Sequence, residues 1–514
     1  MSALLLGLTL ALAQVSSPQY PLTKAEASNY RQTSTLEDVM SFVRTLQQLG
    51  APIRVETAGK SAEGRDIPLI VCAQPAASTP ASAHRLGRVV VYIQANIHGG
   101  EVEGKEAAQM VLRDLAKDPS LLENLVVLVC PVYNTDGNEK FGDGRRNRPS
   151  QDGPEQVGER ANGQGLDLNR DAVKAESPEM QAMLERVYNT WDPAIMMDLH
   201  TTNGTRHGYH LTYSPPLNPN TDPALLALVR DKMLPDIRAK AADAGWRLFD
   251  YGNVQNNGWY TYGQEGRYVT NYVGLRNRIG ILSEAMSYLP FEQRIAVTKW
   301  FVDAVLRYAS ENATVIQTIL NGADLEAAQL SGKPLGVRFE PESRGEEPVL
   351  LEKQGTARGL NIGELESVRM PIYDRFRSTL DRTAPEAWVL MPDQEAAAQL
   401  LARHGIVVER TLVEWTADGE WLSLTEIQRA RNPFQGHRLV RLEGSWEKGS
   451  VRVPKGAFLI RSRQPLARLA FHMLEPESLD GLIAWEIVPI ADDAKTAPIL
   501  RIAERPAVPC IRFP

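Results

Sequence analysis

Residues 88–97 read RVVVYIQANI, the next four are His98-Gly99-Gly100-Glu101, and the segment from Glu103 to about Lys117 is helical in composition. An unbroken apolar, β-branched run of strand length, with no polar alternation, reads as a strand buried on both faces. Two glycines between strand and helix let the chain turn tightly enough for an imidazole and a carboxylate three residues apart to face one point. The same kind of run recurs outward along the chain, as LVVLVCPVYN (125–134), AIMMDLHT (194–201) and IGILSEA (279–285). Helical stretches such as SPEMQAMLERVYNT (177–190) separate these runs. Buried strands alternating with helices predict an α/β fold, a mixed twisted sheet with helices on both faces.

Ahead of this block, Ser34 and Glu37 predict a capping box. Leu36, Val39, Met40, Val43 and Leu46 follow on one helix face, and Gly50 is the stop. Behind it, a helical segment from about Glu292 to Leu330 gives way to SGKPLGVRFEPESRGEEP (331–348), rich in Pro, Gly and charge. That change marks a boundary between a domain of residues 20–325 and a smaller one of residues 345–514. In the latter, AWVLM, IVVERTLVEW, HRLVRLEGSW, SVRVPKGAFLI and IAWEIV read as short strands, with one helix near Asp393 to His404. The second domain is therefore expected to be β-rich α+β. A length of 514 residues agrees with two to three domains of roughly 150 residues each.

A net charge of −7 argues against a nucleic-acid partner, since no excess of basic residues is available to displace counterions from a phosphate backbone. Residues 1–13, MSALLLGLTLALA, form an apolar run ending in Ala-Leu-Ala, which predicts an export signal and a secreted or periplasmic protein, although no basic residue precedes the run. The run is shorter than the about 20 residues that span a bilayer, so no membrane span is expected. Three cysteines, Cys72, Cys130 and Cys510, supply neither a disulfide framework nor a thiolate metal site.

His98 and Glu101 end one apolar strand and His200 ends another, where loops of an open α/β sheet converge on ligands. A His/Glu/His set leaves one tetrahedral position open for water, the pattern of a catalytic rather than a structural metal site. Strand alternation places Asp198 on the side of His200, where it can orient the imidazole.

With these residues in hand, the chain resembles the M14 zinc carboxypeptidases over roughly residues 20–320. Asn134-Thr135-Asp136-Gly137 is similar to the family's Asn-Pro-Asp-Gly turn, with Thr135 in place of proline. Arg145-Arg146-Asn147-Arg148 looks like its Arg-Lys-Asn-Arg segment, with Gly144 where a tryptophan usually stands. The resemblance implies one zinc per chain on His98, Glu101 and His200, and Glu284 as general base. It further implies Arg145 polarising the scissile carbonyl, and Asn169 and Arg170 binding the terminal carboxylate of a peptide. A covering tyrosine is implied too: Tyr262 in preference to Tyr260, Tyr268 or Tyr272. Arg267, Arg276 and Arg278 in the stretch before Glu284 suggest a preference for an acidic terminal residue, a cell-wall peptide among the candidates. His207 and His210 are expected to line the rim or support the fold.

Two rival readings stand beside this one. The Asp167-Leu168-Asn169-Arg170 and Asp198-Leu199-His200 strings also fit the succinylglutamate desuccinylase and aspartoacylase group, which hydrolyses N-acyl amino acids. Alternatively, the sheet is kept and the chemistry lost, leaving a binding protein whose C-terminal part, with Trp415, Trp421, Trp446 and Trp485, docks to a cell wall, glycan or partner.

Overall fold

The computed structural model describes residues 19–76 and 78–514, so the expected export signal at 1–13 lies outside the described residues. Eight strands form the main sheet: β1 (Ile53–Lys60), β2 (Asp66–Cys72), β3 (Val89–Ala95), β4 (Leu125–Cys130), β5 (Ile195–Thr201), β6 (Leu211–Ser214), β7 (Leu248–Asp250) and β8 (Ile279–Ala285). They lie in the order β1-β2-β4-β3-β5-β8-β6-β7. The central four, β4, β3, β5 and β8, are mutually parallel, while β1 and β2 pair antiparallel to their neighbours and β6 pairs antiparallel to β8 but parallel to β7.

All seven residues of β3 are buried, for a reason visible in the packing. Val89, Val91, Ile93 and Ala95 enter a core built with helices α1 (Leu36–Gln48), α2 (Glu103–Lys117) and α4 (Phe291–Glu311). Val90 and Tyr92 enter the core on the opposite face, with α3 (Val269–Leu275) and Trp191. A strand covered on both sides needs apolar residues at every position, which is why its sequence does not alternate.

The opposite-face core does not stop at the main sheet. Trp388, Phe471 and Trp485 of the C-terminal region are members of it together with Tyr92, Tyr188 and Tyr272. The C-terminal region is β-rich α+β, as the pattern predicts, with a seven-stranded sheet and helices Glu395–Arg403 and Ala467–Leu474. The stretch 331–348, whose composition marks the boundary, carries strand Pro334–Glu342, which pairs with Arg375–Thr383. Leu335 and Val337 are buried there, so this local alternation outweighs the Pro and Gly around it. A second, four-stranded sheet joins Asn253–Gln255 and Gly258–Tyr260 to Glu346–Glu352 and Leu365–Tyr373, with Trp259 beside Ile372.

Three local expectations shift. The cap of α1 is Thr35 with Asp38, one residue later than the Ser34 reading, because Ser34 is buried and donates its N–H to Glu106 on α2 at 2.6 Å. The long helix breaks at Asn312 into α4 and α5 (Ala313–Ala327). IAWEIV is a buried turn around Trp485 rather than a strand; a short apolar run is equally at home in either. Among the described residues, no helix is long and apolar enough to cross a membrane.

Candidate metal centre and active site

The turn after β3 is held from inside. Asn96, in the left-handed region at φ 60°, donates its side-chain amide to the carbonyls of His98, Gly99 and Glu101. Asn134 accepts from Gly137 N and donates to Ile97 O at 3.2 Å, so the NTDG turn is clamped against the His98 loop. Gly99 is required by this contact, since a Cβ there would lie 2.3 Å from the Gly137 carbonyl carbon.

His98, Glu101 and His200 are buried, and one ligand atom from each lies within 4.8 Å of the others. Glu101 bridges the pair: Oε1 is 3.0 Å from His98 Nδ1, and Oε2 is 2.8 Å from His200 Nδ1. Each imidazole turns its other nitrogen to a carboxylate, His98 Nε2 to Asp167 Oδ1 at 3.0 Å and His200 Nε2 to Asp198 Oδ2 at 2.9 Å. Carboxylates on the far nitrogens fix the tautomer that presents both Nδ1 atoms to one point, the arrangement typical of metal-ligating histidines. Two imidazole nitrogens and a carboxylate suit zinc, and this donor set therefore fits the ion the resemblance implies. Among the described residues no other His/Cys/Asp/Glu cluster of this kind is present.

The charges follow the geometry. Burial pushes the Glu101 carboxyl up, but His98 and Arg148 and the imidazole hydrogen bonds outweigh it and hold the group well below its usual value. Burial likewise opposes ionisation of Asp167, and His98, Arg160 and Arg170 again overcome it. Glu284 sits beside His200 in the parallel register of β8 and β5 and opens into the same cleft. Burial pushes its carboxyl up to about 8, with Glu101 adding to the shift and His200 opposing it.

Asn169 and Arg170 occupy a short turn, Leu168–Arg170, capped by Asp167, and both line the cleft with His98, His200 and Glu284. Asn169 Oδ1 accepts from Val269 N at 3.1 Å, and the Arg170 guanidinium stacks 4.5 Å from the Tyr268 ring. Tyr262 lines the cleft, its ring 5.0 Å from Tyr268 and 5.9 Å from Tyr251.

Arg145 is not brought to this cleft. It is exposed on the short helix Gly144–Asn147, whose N-cap is Asp143. The residue that turns inward from that segment is Arg148, buried, which donates to Glu101 Oε1 at 3.0 Å and to the carbonyls of Thr201 and Thr202. A second cation, Arg160, lines the cleft and lies 3.3 Å from His98 Nδ1 and 2.9 Å from Asp167 Oδ2. Nothing in the local pattern of GPEQVGERANG singles Arg160 out; only its place two residues before Asn162 and nine before Asn169, in the segment feeding the Asp-Leu-Asn-Arg string, hints at it.

The three arginines read as a specificity wall are engaged elsewhere. Arg267 is buried against Asp480, Arg276 against the carbonyls of Tyr188 and His404, and Arg278 between Asp192 and Asp324. None lines the cleft, because each is a partner for a buried acceptor. His207 and His210 accept from backbone N–H groups, and burial pushes both imidazoles down to about 4.

Residues 39–281 match the family model described as zinc carboxypeptidase, M14. The chain is similar to Carboxypeptidase 2 of Trichophyton rubrum, 22% identical over 498 residues, covering 91% of this chain and 86% of that protein. It is also similar to Probable carboxypeptidase 2 of Arthroderma benhamiae, 23% identical over 479 residues, with 87% and 84% covered. Among solved structures, a metallo-carboxypeptidase from Burkholderia cenocepacia aligns with a TM-score of 0.41 at 18% identity, over 54% of this chain and 70% of that one. Carboxypeptidase A from Helicoverpa armigera aligns with a TM-score of 0.42 at 17% identity, over 55% and 75%.

Proposed function

We propose, on the premise that residues 39–281 belong to the M14 zinc carboxypeptidase family, that the protein is a zinc-dependent metallocarboxypeptidase that hydrolyses the C-terminal amide bond of peptides. One observation carries the reading: three metal donors, a buried carboxyl and an Asn–Arg pair open into a single cleft. His98, Glu101 and His200 would hold one zinc ion. Bound there, it would supply a Lewis acid for the carbonyl and lower the pKa of a water.

The remaining chemistry belongs to the chain. Arg170 offers a guanidinium fork to a terminal carboxylate and Asn169 a donor of fixed direction, so a substrate with a free C-terminus is aligned with its last amide bond toward Glu284. Glu284 takes the proton of the attacking water on its carboxylate and delivers it to the nitrogen of the leaving amino acid. Arg160, rather than Arg145, faces the space where negative charge grows on the carbonyl oxygen, and is the donor for it. Tyr262, with Tyr268 beside it, closes the apolar side of the cleft over the substrate.

Metal content by elemental analysis, with hydrolysis assays of wild type and Glu284→Gln, tests the reading. Assays should compare peptides with free and amidated C-termini and N-acyl amino acids. The expected result is about one zinc per chain, cleavage that requires the free carboxylate, and a fall in kcat of about 10³ in the variant with zinc retained. Cleavage of N-acyl amino acids alone would move the assignment to the acylase group. A protein that binds no zinc would end it.

A further inference from the structure

The turn Leu168–Arg170 and the facing segment around Arg267 and Tyr268 lean on the C-terminal region. Strands Trp415–Arg429 and Val440–Val453 pair as a hairpin, and its distal loop ends in a two-residue turn at Phe434-Gln435-Gly436-His437. Phe434 and His437 exchange backbone hydrogen bonds, at 2.8 and 3.1 Å. Gln435 and Gly436 have φ of 50° and 84°. Positive φ at both central positions defines a type I′ turn, for which Asn, Asp or Gly is the favourable first residue. A Gln held in that region costs conformational energy, a kind of strain that collects at functional sites.

The side chain so held has a specific partner. Gln435 Oε1 accepts the backbone N–H of Asp167 at 2.9 Å. Asp167 in turn caps Asn169 N at 3.0 Å and holds His98 Nε2. Two positions on, His437 Nε2 lies 2.6 Å from Glu176, which pairs with the buried Lys174 and through it with Asp171. Across the cleft, Asp480 accepts Arg267 N at 2.7 Å and Trp485 Nε1 at 2.9 Å. The next residues are Tyr268, which stacks on Arg170, and Val269, which donates to Asn169. Both flanks of the Asn169–Arg170 pair are thus tied to residues more than 200 positions further along the chain.

We propose that Gln435 is a positioning residue of the active site, with Asp480 holding the opposite flank, and that the C-terminal region serves to fix the carboxylate-binding turn and the Asp167 support of His98. The kinetic part of this inference rests on the carboxypeptidase reading; the structural part does not.

The test compares the full-length wild type with Gln435→Ala and Gln435→Glu. The latter keeps a side-chain oxygen in reach of Asp167 N. Three quantities are measured: kcat and KM on a peptide with a free C-terminus, zinc affinity by competition with a chromogenic chelator, and amide hydrogen exchange in the peptide spanning residues 166–171. At a Tm within a few degrees of wild type, Gln435→Ala should raise KM about tenfold, with a smaller change in kcat. It should also weaken zinc binding several-fold and speed exchange at 166–171, while Gln435→Glu restores most of each. Unchanged exchange at 166–171, or faster exchange with KM and zinc affinity both as in wild type, overturns the proposal. If the wild type cleaves no peptide, the function reading fails separately, and zinc affinity and exchange still decide the role of Gln435.

Discussion

Arg148 and Arg160 both reach Glu101, yet only one is free to serve a substrate. Arg148 is buried and divides its guanidinium between Glu101 and two backbone carbonyls, which makes it a brace for the Glu101 carboxylate. Arg160 is 40% exposed along its side chain and opens into the cleft. Arg160→Ala should therefore lower kcat by about 10² to 10³ with the fold intact, the loss expected for one oxyanion donor. Arg145→Ala should stay within about twofold of wild type; steady-state kinetics of the two variants side by side checks both. His200 and Glu284 are easy to single out in the sequence because each lies at the end of an apolar strand, and His98 and Glu101 because they sit in the glycine turn that follows one. Arg160 is harder to find: it sits in a long irregular segment, 156–167, whose path is set by contacts such as Arg160 O with Asn134 and Asp167 N with Gln435.

At the scale of elements, the tightest demand falls on the turn joining β3 to α2. Gly99→Ala forces a methyl group into the Gly137 backbone, and overpacking of this kind costs about 1–3 kcal/mol. The variant should melt several degrees lower and bind zinc more weakly, as read by calorimetry and chelator competition. The strands were legible because burial on both faces leaves a signature in composition. The helix caps were legible to within a residue, and what moved the cap of α1 was a tertiary contact, Ser34 with Glu106. The strand inside the 331–348 stretch was not legible for the opposite reason: its Pro, Gly and charge mark a boundary, and only its partner strand at 375–383 makes it part of a sheet. Pairing between distant segments is the information that local pattern lacks.

Across the whole molecule, one core binds the two regions. A chain ending near residue 330 would strip Trp388, Phe471 and Trp485 from the core that also holds Tyr92, Tyr188 and Tyr272, and would take His404 from its place against Tyr272. Such a truncation should be insoluble or molten, which expression and near-ultraviolet dichroism would reveal. The C-terminal region also carries a pH-sensitive group. Burial pushes Glu475 up to about 7, partly opposed by Arg501 and a hydrogen bond from Trp388. The folded state thus binds this proton more tightly than the unfolded one, so the group costs stability increasingly as pH rises from its ordinary value of 4.5 through about 7. Glu475→Gln removes that cost, and the gain in Tm over wild type should grow between pH 5 and pH 8.

The pairing of Trp259 with Ile372, and of Asp167 with Gln435, has a consequence for biogenesis. A ribosome delivers His98, Glu101, His200 and Glu284 long before it delivers residues 365–373 and 435, and domains generally fold as units while they emerge. Here these contacts are complete only after residue 435 has emerged. If Gln435 positions the cleft as proposed, activity should appear only after the residues that support it have emerged and folded onto it.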